Sequence, residues 1–191
     1  MIKRLSYPVP ASARRSGGRA ARRTERAAPL AEELRPVRAG LPGGQYQWEK
    51  LQGLVYGKQI HQASIFTGIL GFIDACATLN IKISIVSHKT LWAHHDPDKT
   101  NLRKAALSFL QKNEFLSSDR LGEDQIHFCG TLEEKVRTIE HLNCSIFIDD
   151  LIKVFNHPEF PTTCHPILFR GRSLSFHCCP SWEHIHHAIL A

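Results

Sequence analysis

The sequence predicts an α/β domain, a three-layer sandwich in which helices pack on both sides of a parallel sheet. Short apolar, β-branched runs alternate with amphipathic stretches of helical period, the order expected of parallel strands joined by helical crossovers. Two of the runs, 83–86 (Ile-Ser-Ile-Val) and 146–148 (Ile-Phe-Ile), stop abruptly at polar or acidic residues. Buried parallel strands end in this way where their C-terminal edge opens into a site. The 191 residues suffice for one sizeable core and are too few for two.

Taken in order, residues 1–44 read as a disordered basic leader and 45–191 as the domain. The leader is rich in Arg, Ala, Pro and Gly and has Tyr7 as its sole aromatic residue. It cannot bury enough apolar surface to offset its ordering entropy, so at most a frayed helix is expected near 27–36. Residues 46–62 read as a helix, and Phe66-Thr67-Gly68 as a turn. A helix over 69–79 gathers Ile69, Phe72, Ile73, Cys76 and Leu79 on one face. A strand follows at 82–87, then a polar loop at 88–98, a helix near 100–113 and a strand at 125–129. Thr131, with Glu134 three residues on, opens a helix over 131–142 as a capping box. The strand at 145–149 leads into a short helix from 151 and a turn-rich segment. Ile167 to Phe169 reads as the last strand, and 181–190 as a terminal helix capped by Ser181.

The charge is uneven. Residues 1–44 hold nine Arg and one Lys against three Glu, a net of +7, which leaves −1 on the remainder of a chain whose total is +6. The basic character therefore belongs to a segment without apolar periodicity or interleaved aromatics, which argues against nucleic acid as a partner. The six cysteines sit mostly in apolar runs, where a free thiol acts as a small core residue. With no secretory signal, they point to a reducing, cytoplasmic setting. No stretch has the roughly 20 apolar residues that a membrane span needs. Cys164-His165, His177-Cys178-Cys179, His184, His186 and His187 offer soft ligands but no Cys-x₂-Cys spacing, and they read as surface histidines and core thiols rather than zinc ligands.

Chemistry is concentrated at the strand ends. Ser87 closes one strand with a hydroxyl suited to a phosphate oxygen, and His88 and Lys89 follow it within reach of a substrate. Asp149 and Asp150 close another and offer hard oxygens to Mg²⁺, which takes one or two protein carboxylates and keeps its waters. Lys135, early on the intervening helix, could place an ammonium over the same spot. Each has a plainer reading. Ser87 can merely end a strand, Lys135 can be a solvated helix residue paired with Glu133 or Glu134, and twin aspartates often cap a following helix.

Their joint order is more specific. Strand-Ser87, helix-Lys135 and strand-Asp149-Asp150 resemble the second, third and fourth motifs of the haloacid dehalogenase-like hydrolase superfamily. The wording Ile-Val-Ser-His-Lys-Thr and Phe-Ile-Asp-Asp-Leu is similar to one of its uncharacterised bacterial phosphatase-like branches. The likeness runs from Trp48 through Phe169. It implies a Rossmann-like three-layer fold and Mg²⁺-dependent hydrolysis of a phosphorylated small molecule through an aspartyl-phosphate. Ser87 would bind the phosphate, Lys135 would stabilise its charge, and Asp149 and Asp150 would hold the metal.

The resemblance has one severe departure. The family's first motif, Asp-x-Asp at the end of the central strand, supplies the nucleophile, and residues 1–73 contain no aspartate at all. Asp74 lies inside a helix, and the nearest approach to a first strand, 2–9, is interrupted by Lys3, Arg4 and Pro8. The expectation is therefore a phosphatase fold with its first strand missing or degenerate, and no turnover. The alternatives are a non-catalytic module that binds phosphate, metal or protein, and a nucleic-acid accessory worked by the basic leader. Substrate and oligomeric state are not written in the sequence.

Overall fold

The structure is a computed structural model that describes residues 43–190. The expectations for the leader, including the helix near 27–36 and the interrupted strand at 2–9, fall outside the described residues. The boundary itself moves by one residue, because the first helix, α1 (Gly44–Gly53), begins inside the span assigned to the leader.

The helix expected over 46–62 is continuous in direction but changes its winding. After α1 it widens into a π-turn, Leu54–Lys58, where Gln59 N–H reaches back to Leu54 O, and then tightens into the 3₁₀ turn Ile60–Gln62. Close approach requires the glycine here: a Cβ on Gly57 would stand 2.9 Å from Thr100 Cγ2 and 3.1 Å from Leu102 Cδ2. Gly68, at φ 84°, makes the left-handed turn that starts α2 (Ile69–Thr78), whose Ile69, Phe72, Ile73 and Cys76 are buried as their spacing predicts.

The strand β1 (Ile85–His88) begins later than the pattern suggests, since 81–84 runs into it without ladder pairing. Next comes α3 (Leu102–Lys112), whose cap Asn101 accepts from Lys104 N–H, and β2 (Ile126–Cys129) follows. Thr131 caps α4 (Leu132–His141) by accepting from Glu134 N–H, as predicted. The return bond of the box goes one residue further back, from Gly130 N–H to Glu134 Oε2. β3 (Ile146–Asp149), α5 (Ile152–Phe155) and β4 (His165–Phe169) complete the expected series. Ile167–Phe169 is not the last strand, however. His177–Cys179 forms β5, and α6 (Trp182–Leu190) packs after it.

Every ladder among the described residues is parallel; helices lie between β1 and β2 and between β3 and β4, whereas β4 and β5 are joined by the irregular segment 170–176, and the strands form two sheets rather than one. β1 pairs with β2, and β4 lies between β3 and β5. The sheets share their cores. Ile85 of β1 packs in one cluster with Ile167, Phe169 and Cys179 of the other sheet, beneath α2 and α6. Its neighbour Val86, pointing the opposite way, joins Phe147 and Leu168 in a second cluster against α4. No helix among the described residues is long and apolar enough to cross a membrane.

Phe115, fully buried in the first cluster beside Leu110 and Leu121, follows Glu114 in a left-handed turn that ends α3. Its truncation to Ala is expected to cost about 3–5 kcal/mol of unfolding free energy, measured by urea denaturation with an unchanged m-value.

Candidate functional site

Topology fixes where the strand ends meet. β1 and β2 are parallel, with His88 level with Cys129, so both end at the same side. Gly130 leaves that side and α4 starts there. Lys135, in the first turn of α4, reaches across to Asp149, the last residue of β3. Ser87, Lys135 and Asp149 therefore share one edge of the molecule, the C-terminal edge of the strands.

The tie between Lys135 and Asp149 is direct. Both side chains are 1% exposed, the Lys135 ammonium donates to Asp149 Oδ2, and it stands 5.3 Å from the centre of the Phe147 ring. The plainer reading of Lys135 as a solvated residue paired with Glu133 or Glu134 fails for a geometric reason. At its helical position it lies with buried Val136 and Ile139, on the inward side of α4. Asp149 spends its other oxygen, Oδ1, on Leu151 N–H at 3.0 Å, a turn two residues long ahead of α5; Leu151 is the N-cap of that helix and no side chain caps it, so neither aspartate takes the capping role.

Ser87 is buried on β1, level with Phe128. The two residues after it are oriented by specific contacts. His88 Nε2 bonds Gly130 O at 2.9 Å, which fixes the turn between β2 and α4. Lys89 donates its N–H to Cys129 O and lays its ammonium over the Tyr56 ring, 4.7 Å from the centroid, while Arg103 Nε holds its carbonyl. Tyr56 carried no signal in the sequence, because its role arises from the π-turn that carries it to the site.

Asp150 is half-buried, with Oδ1 shielded from solvent. Its oxygens suit a hard cation. At Asp149 the Lys135 ammonium on Oδ2 opposes a second positive charge. Asp150 and Asp149 are the residues that could hold Mg²⁺, which completes its shell with water. Among the described residues no group of three His, Cys, Asp or Glu converges. His184 and His187 lie on α6, and the adjacent Cys178 and Cys179 belong to β5.

The segment 46–62 and the polar loop 88–98 are clamped together. Lys58 pairs with Asp96 at 2.8 Å and with Asp98 at 2.5 Å, and His95 meets Glu49 at 2.8 Å while its ring packs on Tyr46. The Lys58 ammonium, helped by Thr100, holds the Asp96 carboxyl well below the usual carboxylate range. Asp74 is exposed on α2 and forked to Arg120 at 2.6 Å, remote in role from any nucleophile.

The chain matches no family model, no curated protein and no solved structure.

Breaking the buried pair by Lys135→Met is expected to cost about 3–5 kcal/mol, because it strands a desolvated carboxylate. Lys135→Met combined with Asp149→Leu should recover most of that loss in a double-mutant cycle read by thermal unfolding. Burial pushes the Cys164 thiol up to about 12, with Cys144 nearby adding to the shift. Cys164 should therefore resist alkylation at pH 8 in the folded chain and react only on unfolding, as peptide mass mapping would show.

Proposed function

We propose that the chain carries the phosphate and cation pocket of a haloacid dehalogenase-like phosphatase without its nucleophile, and that it binds a phosphorylated small molecule without hydrolysing it. The observation that carries this reading is the buried Lys135–Asp149 pair at the edge where Ser87 also lies. A lysine and an aspartate so fully desolvated are costly as mere scaffolding.

In this reading Ser87 donates its hydroxyl to a phosphate oxygen, and Lys89 and His88 border the entrance. Lys135 is held in place by Asp149, which neutralises most of its charge. Asp150, with Asp149, holds Mg²⁺, which when bound neutralises phosphate charge. A phospho-enzyme needs a carboxylate free to attack phosphorus. Asp149 is engaged twice, Asp74 is forked to Arg120, and residues 1–73 hold no aspartate. In this reading the chain binds without turnover.

The finer architecture belongs to the same proposal: β2-β1 and β3-β4-β5 are two parts of one Rossmann-like, three-layer sheet. The sharing of both cores between the sheets supports it. A reducing, cytoplasmic setting fits six cysteines that are all free.

Calorimetric titration with inorganic phosphate, with and without Mg²⁺, tests the reading. Phosphate is expected to bind only with Mg²⁺, and Ser87→Ala or Asp150→Asn should weaken it about tenfold or more at unchanged circular dichroism. p-Nitrophenyl phosphate should release no phosphate. Turnover abolished by Asp150→Asn would reveal a nucleophile elsewhere, and absence of Mg²⁺-dependent binding would end the proposal.

A further inference from the structure

Lys135, Val136 and Ile139 occupy the buried side of α4. Glu134, Arg137, Thr138 and His141 recur at i, i+3, i+4 and i+7 and make a separate stripe on the outer side. Opposite this stripe stands His127 of β2. It is level with Val86, whose side chain points to α4, so the imidazole projects toward the helix as well. Together with Leu142 these residues line a surface pocket of about 460 Å³, within the range of small-molecule sites.

The polar groups in the pocket divide sharply. Glu134 is committed: Oε2 accepts Gly130 N–H at 2.6 Å, and its carbonyl accepts the Thr138 hydroxyl at 2.7 Å. Among the described residues the Arg137 guanidinium and the His127 and His141 rings have no hydrogen bond, ion pair or ring partner. Glu133, on the adjoining face, is held low chiefly by backbone and Thr131 hydrogen bonds, with only a lesser contribution from Arg137. The pocket thus offers a five-donor planar cation and two imidazoles with no protein acceptor to satisfy them, beside the apolar wall of Leu142.

We infer that this pocket is a second binding site, for a small organic anion whose carboxylate or phosphate is forked by Arg137 and flanked by His127 and His141 while its apolar body lies on Leu142. Guanidinium binds such oxyanions bidentately, and an imidazole on either side can donate to the remaining oxygens. The site is separate from the strand-end pocket and does not depend on the reading given to that pocket. The two lie on opposite faces of α4, one built on Lys135 and the other on Arg137.

The test is a ¹H–¹⁵N NMR titration of the full chain with phenyl phosphate and with benzoate, following backbone amides and the histidine ring protons. Saturable shifts are expected at His127, Arg137 and His141 with both probes. Arg137→Ala should weaken binding about tenfold or more, and Arg137→Lys, which keeps the charge but loses the fork, should fall between. Arg137 is exposed, so the variants are expected to keep the parent melting temperature. Ser87→Ala and Asp150→Asn should leave these shifts unchanged. Shifts confined to Ser87, Lys89 and Asp150, equal affinity in Arg137→Ala, or no saturation at millimolar probe would each overturn the inference.

Discussion

A charge removed from water must be met by its opposite, and the Lys135–Asp149 pair is where the described fold satisfies that demand. Isolated, either group would suffer a desolvation penalty larger than any single packing contact can offset. Paired, they fasten the first turn of α4 to the end of β3. Because α4 also covers β1 and β2, the same contact ties one sheet to the other. Leu151 N–H completes the arrangement by taking the remaining oxygen of Asp149, so the carboxylate cannot rotate without losing a second bond. The positions of Ser87, Gly130 and Asp150 at one edge follow from this tie.

The clamp between 46–62 and 88–98 works on a different scale. Its members, Lys58 with Asp96 and Asp98 and His95 with Glu49, lie at the surface, with Asp96 and Glu49 the more covered of them, and pairs in contact with solvent contribute little to stability. What they supply is position. They hold the π-turn against the loop, and the π-turn in turn brings Tyr56 under Lys89. A buried pair sets the edge of the strands, and a set of weak surface contacts sets the wall beside it. The strong interaction lies where the geometry must not vary. The weak ones lie where a segment can yield without unfolding the core.

Much of this was legible in the sequence because local pattern and tertiary outcome agree. The apolar spacing of 69–79 names the four buried residues of α2, although Leu79, expected on the same face, lies past the helix end and is exposed, and Thr131 with Glu134 marks the start of α4 within a residue. The parallel sense of β1 with β2 and of β3 with β4 followed from the helices between them, whereas that of β4 with β5, joined without a helix, did not. Elsewhere the pattern was silent for physical reasons. β5 is His-Cys-Cys, with no β-branched residue, and becomes a strand only because β4 offers it a partner edge. The π-turn has no periodicity of its own and depends on Gly57 lying against Thr100. Lys135 looked like any helix-surface lysine, since its local neighbours are glutamates and its true partner is fourteen residues away. The outer pocket of α4 was invisible for the same reason, as it needs His127 from β2 to stand opposite Arg137.

The chemistry attributed to the strand-end pocket also depends on how charge is already spent. If Lys135 were unpaired, its ammonium would attract a phosphate dianion by itself. Here Asp149 cancels most of that charge at contact distance, so the pocket offers a phosphate little net attraction beyond hydrogen bonds from Ser87 and the more distant Lys89. Asp150 adds a negative charge at the same edge, which would repel an anion arriving alone. In the proposed reading, Mg²⁺ on Asp150 would reverse the balance, turning a repulsive edge into an attractive one with water positions that phosphate oxygens could replace. The outer pocket on α4 has the opposite arrangement, with its cation unpaired and its carboxylate engaged by backbone, and so needs no metal to receive an anion. One helix thus presents a neutralised lysine to the interior and an uncompensated arginine to solvent. That difference, more than the shape of either pocket, separates the ligands that the two faces would accept.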